Sequence, residues 1–188
     1  MVTGYSGSGK DTFYKSITGK NNIIWECYSN EEYILNDLKA VRFALADELK
    51  IKVAKKLGIT YDIDLEKNKD NKIFENNTKS FRDYMIEYAI KKRKKDINYF
   101  CKLLVNKIDA IDINTNIYIT DWRYMSELEF FEKHYENVKT IRIARLGIKK
   151  IDIESETNLD KYQTDILVIP EKQDLIETCL NYNLNNFI

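Results

Sequence analysis

Short apolar runs alternate along this chain with longer segments of helical period. Residues 1–3, "MVT", read as the end of a first strand, followed by a glycine-rich loop and a helix over roughly Lys10–Ile17. "NIIWECYS" (22–29) and "AVRFALA" (40–46) are short apolar runs of strand type, although periodicity alone does not separate them from buried helix. "DELKIKVAKKL" (47–57) predicts a helix capped by Asp47 and stopped at Gly58. Residues 61–77 are polar and aperiodic, which predicts a loop or mobile insertion. Helices are expected over 79–92 and 97–109. "NIYIT" (116–120) is a strand delivering Asp121, "SELEFFEKHY" (126–135) a helix, and "VKTIRIA" (138–144) another strand. "DILVIP" (165–170) is a last strand stopped by Pro170, and "KQDLIETCLNY" (172–182) a last helix. Strands separated by helices predict an α/β fold, a parallel sheet with helices on both faces. The helical stretch 47–109 is too long for a simple crossover and is expected to form a subdomain beside that sheet. No repeat or Pro/Gly-rich linker divides the chain, so residues 1–188 read as one domain.

Composition narrows the function. Thirty acidic and thirty basic side chains cancel, which disfavours a protein that coats a nucleic-acid polymer and makes any anion site local. Cys27, Cys101 and Cys179 are odd in number and widely spaced, as expected of free thiols in a reducing compartment. His134 is the only histidine, which removes histidine metal clusters and serine–histidine triads. No apolar run approaches the ~20 residues of a bilayer span, and no signal-peptide pattern opens the chain, so a cytoplasmic protein without membrane contact is expected. Six of the thirty cations are arginines, at 42, 82, 93, 123, 142 and 145. In a lysine-rich chain these mark candidate forks for phosphate or carboxylate.

The strongest candidate chemistry lies in "GYSGSGKDT", residues 4–12. Strand, G-x-x-x-x-G-K and helix follow in the order of a phosphate-binding loop. Gly4, Gly7 and Gly9, with Ser6 and Ser8 between them, turn the backbone tightly so that its N–H groups face an anion, and the helix adds its positive end. Lys10 is placed to reach the outer phosphates of a nucleoside triphosphate. Asp11 stands where such loops carry the metal-binding hydroxyl, and Thr12 comes one position late. Since Mg²⁺ takes oxygen ligands and keeps several waters, the local pattern leaves two readings open, altered metal binding or a lost ligand.

Asp121, at the end of an apolar strand, resembles a carboxylate that orients Mg²⁺ or its waters, and Arg123 projects from the same strand end. Arg142 and Arg145 lie at the end of the next strand and in the loop beyond it. Arg145 is the better candidate for meeting a migrating phosphoryl group, and 145–160 reads as a lid-like loop. Arg82, with Tyr84 and Tyr88 nearby, is a candidate contact for an acceptor's phosphate or base. The run 91–95 reads as a solvated helix end. "NKID" (106–109) matches a guanine-reading motif but sits on the wrong element, and no D-x-x-G accompanies it, so it reads as chance.

Taken together these segments resemble the deoxynucleoside monophosphate kinase family of phage and viral type, with phosphomevalonate kinase a more distant relation. "SGKDT" is similar to that family's variant loop, in which Asp follows the lysine. "FALADELK" resembles F-A-D-P-L-K, "DINYFCKLL" resembles D-P-D-x-W-x-x-x-L, and "TDWRYMSELE" resembles D-V-R-F-P-N-E, retaining Asp121, Arg123 and Glu127. "SETNLDKYQTD" is similar to S-E-x-x-L-D-x-Y-x-x-D. The resemblance spans nearly the whole chain. It implies a P-loop NTPase fold of nucleoside monophosphate kinase type and ATP-dependent phosphorylation of (deoxy)nucleoside 5′-monophosphates. Lys10, Arg123 and Arg145 are then catalytic, Gly4, Ser6, Gly7, Ser8, Gly9, Lys10, Asp11 and Thr12 bind the nucleotide, Asp11, Thr12 and Asp121 manage Mg²⁺, and Arg42, Asp47, Arg82 and Arg123 hold the acceptor. Under this reading Asp11 is native chemistry. The departures, Glu48 and Ile97 for prolines and Phe100 for Trp, alter the expected acceptor walls. A kinase for another small phosphorylated acceptor and an inactive nucleotide-binding switch are the alternatives. Base and sugar preference, the monomeric or homodimeric state and the position of the native N-terminus are left open.

Overall fold

The computed structural model describes residues 1–20, 25–29, 39–74, 78–148, 154–171, 173–182 and 184, the segment 25–29 through its backbone. The chain divides into two compact units, Met1–Ala44 with Ile108–Ile188, and Leu45–Lys107.

The first unit is α/β. Strands β1 (Val2–Thr3), β5 (Ile141–Ile143) and β6 (Ile166–Pro170) run parallel in the order β1-β5-β6, and β2 (Trp25–Ser29) closes the far side of β6. β3 (Ala40–Phe43) and β4 (Asn116–Ile119) form a separate parallel pair. β5 and β6 are buried along almost their full length, as unbroken apolar runs in parallel sheets are. Their side chains alternate between two cores. Ile141, Ile143, Ile166 and Val168 pack with Phe13, Tyr14 and Ile17 of α1 (Lys10–Ile17). Leu167 and Ile169 pack with Cys179 and Tyr182 of α8 (Leu175–Tyr182). Helices therefore cover both faces, and fully burying each branched aliphatic chain contributes about 1.5–3 kcal/mol. Tyr14 donates to the Ala40 carbonyl at 2.9 Å, and Ala40 and Tyr118 pack on the α1-side core, so α1 is flanked by both sheets.

Two features correct the expected single parallel sheet. β2 pairs antiparallel with β6, Cys27 opposite Val168, because an apolar run specifies burial but not strand direction. The strands of this unit also fall into two ladders. Residues 22–24, the start of the expected "NIIWECYS" strand, lie outside the described residues. Elsewhere the ends move. "VKTIRIA" supplies only three strand residues, and α6 (Met125–His134) begins on a capping box in which the Glu127 carboxylate accepts from Arg123 N–H and Tyr124 N–H.

The second unit is helical: α2 (Leu45–Leu57), α3 (Ile63–Lys67), α4 (Phe81–Lys95) and α5, which spans Tyr99–Ile108. Val53 and Ala54 pack against Phe81 and Met85, with Leu49, Tyr61, Leu65 and Tyr84 around them. α2 starts at Leu45, directly after β3 and Ala44, so Asp47 lies in its first turn and is not its cap. There its charge still favours the positive helix end. α3 interrupts the loop expected over 61–77. Asp62 caps it by accepting from Leu65 N–H at 2.8 Å, and residues 75–77 lie outside the described set. α4 opens on a capping box between Ser80 and Asp83. Among the described residues no helix is long and apolar enough to cross a membrane.

Candidate anion-binding site at the glycine loop

β1 delivers the chain into residues 4–10 beside the end of β5. Gly4 has φ +143°, and a Cβ there would fall on the Ile143 carbonyl oxygen and within 2.7 Å of Ser8 Oγ. Only glycine fits that approach. The loop ends on Gly9, φ +99°, which caps α1 without any side chain, so the first-turn N–H groups of α1 carry no side-chain cap. Ser8 N–H donates to the Tyr5 carbonyl at 3.1 Å. The Ser8 hydroxyl is buried and makes no hydrogen bond, a polar group left over inside the loop.

Lys10 folds back over this turn. Its ammonium donates to the carbonyls of Gly4 at 2.7 Å and Tyr5 at 3.0 Å, which holds a point charge against the loop backbone. Arg123, which follows β4, brings a second cation to the same place, Nη1 lying 3.4 Å from the Gly4 carbonyl. Its backbone is fixed by the buried Glu127 carboxylate.

Asp11 is held across the exit of the loop. Its Oδ1 accepts from Arg42 Nε of β3 at 2.6 Å and from the Thr120 hydroxyl, beyond β4, at 3.1 Å. Thr120 is buried, while the Asp11 side chain is 60% exposed and that of Arg42 29%. The carboxylate thus ties the first turn of α1 to the ends of both strands in the β3–β4 pair. Lys10, Arg42 and Arg123, with the positive end of α1, give this corner a cationic character suited to a polyanion. Asp121, next to Thr120, and Thr12, on the first turn of α1, are both half-buried oxygen donors. Ser6 and Gly7 are exposed at the loop's tip.

The structure therefore brings Gly4, Lys10 and Arg123 together, and joins Asp11 to Arg42. Arg145 follows β5 with its side chain exposed and its backbone held by Tyr182. Asp47 and Arg82 belong to the second unit. Asp47 lies 3.9 Å from Lys50 Nζ, and Arg82 pairs with Asp70 through two guanidinium nitrogens, which holds that carboxylate below its usual range. The lid-like stretch 145–160 contains α7 (Glu154–Thr157), while residues 149–153 lie outside the described set.

Arg142 is buried. Its guanidinium donates to the carbonyls of Leu159 at 2.6 Å and Tyr162 at 2.9 Å, its Nε is unbonded, and burial lowers its pKa. It pins the turn after α7, the structural alternative to a phosphate contact at this strand end. Sequence reasoning missed Thr120, Tyr5, Asp160 and Tyr182. Thr120 had a signal, since it precedes Asp121 at a strand end, and Asp160 stands at a matched position of S-E-x-x-L-D-x-Y-x-x-D, but Tyr5 and Tyr182 join only through long-range contacts. Among the described residues no three or more His, Cys, Asp or Glu side chains converge as a metal cage. Mg²⁺ bound with phosphates needs only one or two protein oxygens, and Thr12 and Asp121 are donors of that hard-oxygen kind. Compared with known proteins, the chain matches no protein-family model and no curated protein sequence.

Proposed function

We propose that this protein is a P-loop kinase that moves the γ-phosphoryl group of ATP to a (deoxy)nucleoside 5′-monophosphate, giving the diphosphate. The observation that carries the reading is the Gly4–Lys10 clamp. A lysine ammonium rests on the carbonyls of a loop whose glycines allow close backbone approach, at the uncapped start of α1. The buried, unbonded Ser8 hydroxyl adds a donor inside the same turn.

In this mechanism the loop N–H groups and Lys10 hold the donor phosphates, and Lys10 exchanges its carbonyl partners for phosphate oxygens. Thr12 and Asp121 would hold Mg²⁺, which would neutralise charge on the donor phosphates. Asp11 keeps Arg42 at the loop's exit, where its guanidinium faces the acceptor phosphate. Arg123 lies against the loop and Arg145 beyond β5, both to meet charge spread over the migrating group. No covalent protein intermediate is required, since the acceptor phosphate oxygen attacks in line. Asp47 and Arg82 are the acceptor contacts assigned to the helical unit.

Coupled ADP release with ATP and Mg²⁺ against a panel of deoxy- and ribonucleoside monophosphates, phosphomevalonate included, tests the proposal. Turnover with a monophosphate is expected. Turnover with phosphomevalonate alone would move the acceptor class, and nucleotide binding without turnover would leave a binding protein in place of a kinase.

A further inference from the structure

Tyr5 is the one aromatic side chain inside the glycine loop, and it is tied down at three points. Its carbonyl accepts from Lys10 Nζ at 3.0 Å and Ser8 N–H at 3.1 Å. Its buried ring stacks on Tyr182 of α8, with centroids 5.0 Å apart and planes 21° apart. Its hydroxyl donates to Asp160 Oδ1 at 2.9 Å. Asp160 is fixed in turn, because Arg142 grips the carbonyls of Leu159 and Tyr162 on either side of it. From Tyr182 the chain of contacts continues to Arg145. The Tyr182 hydroxyl accepts from Arg145 N–H at 3.2 Å and donates to the Arg145 carbonyl at 3.0 Å.

We infer that Tyr5, Asp160 and Tyr182 are positioning residues that hold the glycine loop and Arg145 in one fixed register. The functional consequence rests on the kinase reading above. There the loop holds the donor and Arg145 meets the migrating group, so a small relative displacement costs rate. A tyrosine at this place is otherwise a poor choice for a turn that needs small residues. Its polar tip and flat face are both used, and each reaches an element remote in sequence.

The test compares the full-length wild type with Tyr5→Phe, Asp160→Asn and Tyr182→Phe. Phenylalanine keeps the ring stack, and asparagine keeps the size of the side chain, so the fold is retained. Amide hydrogen exchange is followed over residues 141–148, and Mg·ADP affinity, kcat and KM are measured in parallel. Removing the Tyr5 hydroxyl is expected to raise exchange at Arg145 by about five- to tenfold, the loss of one hydrogen bond's worth of restraint, while Asp160→Asn, whose amide oxygen still accepts from Tyr5, raises it less, with β6 unchanged in both. Tyr5→Phe should weaken Mg·ADP binding by a similar factor, about fivefold, whereas Tyr182→Phe should leave binding intact and lower kcat instead. Unchanged exchange at Arg145 in Tyr5→Phe would overturn the relay, whatever the nucleotide data show. A wild type that neither binds Mg·ADP nor turns over would overturn the kinase reading, and the exchange result would still decide the relay.

Discussion

Asp11→Asn separates two chemical roles for the residue that departs from the common loop pattern. In the structure Asp11 Oδ1 is shared by Arg42 Nε and the Thr120 hydroxyl. Asparagine keeps an oxygen for Thr120 and loses the charge that holds Arg42. The pair is substantially exposed, at 60% and 29%, so screening limits its contribution to stability to about 0.2–1 kcal/mol. In a chain of this size that corresponds to a melting-point drop of at most about 4 °C. The effect on turnover is expected to be larger, since releasing a charge-assisted contact frees Arg42 and lowers kcat/KM by about five- to tenfold. The assay is steady-state turnover at a series of free Mg²⁺ concentrations, alongside thermal unfolding. If Asp11 braces Arg42, the Mg²⁺ half-saturation point stays within about twofold of wild type, a change of under half a kcal/mol. Arg42→Lys, which keeps charge but not the planar fork, then behaves alike. A rise of tenfold or more in the Mg²⁺ requirement, with full kcat restored at saturation, would put Asp11 on the metal and refute the brace.

Three further outcomes follow from other parts of the molecule. Lys10→Ala should abolish measurable Mg·ATP binding by calorimetry while lowering the melting point by about 2–12 °C, because two lysine–carbonyl bonds worth about 0.5–1.5 kcal/mol each are lost; retained affinity would remove the loop from the site. Gly4→Ala forces a φ of +143° on a residue with a side chain and drives its Cβ into the Ile143 carbonyl, so chemical denaturation should show a loss of about 2–4 kcal/mol; a neutral result would contradict the close packing of β1 on β5. Glu66 gives a pH signature. Burial alone would raise its pKa, but hydrogen bonds from Lys69 and Tyr61, both at 2.5 Å, and Lys50 at 3.2 Å outweigh it and hold it at about 2, against 4.5 when free. A depressed carboxylate stabilises the fold above its unfolded pKa, so this contribution is complete above about pH 4.5 and is lost as pH falls toward about 2. With a third of the side chain exposed it amounts to about 1 kcal/mol after screening. Glu66→Gln should flatten the stability profile between about pH 5 and 2 by that amount, and an unchanged slope would remove Glu66 as its source.

What the sequence made legible was local. The glycine loop could be read because strand, turn and helix signals all fall within residues 1–17, where each is set by near neighbours in the chain. α1 runs over Lys10–Ile17 for that reason. Ends set by tertiary contact were not legible. Asp47 has the chemistry of a cap, yet α2 begins two residues earlier because β3 and Ala44 feed directly into it. Asp62 and the three apolar or acidic residues after it did carry a cap signal for α3, hidden in a stretch whose composition reads as loop. β2 could not announce its antiparallel direction, since the pattern of an apolar run is the same read from either end.

The candidate site divides along the same line. Its loop residues are adjacent, whereas the partners that give them a role come from far away: Arg42 from 31 positions on, Thr120 from 109, Arg123 from 119, Asp160 from 155. Arg142 shows how a sequence pattern leaves a role undecided until such a contact is known. At the end of a strand it reads either as a phosphate contact beside Arg145 or as a structural charge. In the structure Ile141 and Ile143 face α1, and the arginine points to the opposite face, which is equally buried beneath the turn after α7. A lysine there would keep the charge but lose the fork that spans two carbonyls. The lysine-rich background therefore does carry information. At 42, 123 and 142 the guanidinium reaches a backbone carbonyl or a carboxylate from another element; Arg42 and Arg123 do so beside the loop from which catalysis is proposed, and Arg142 does so beneath the turn after α7.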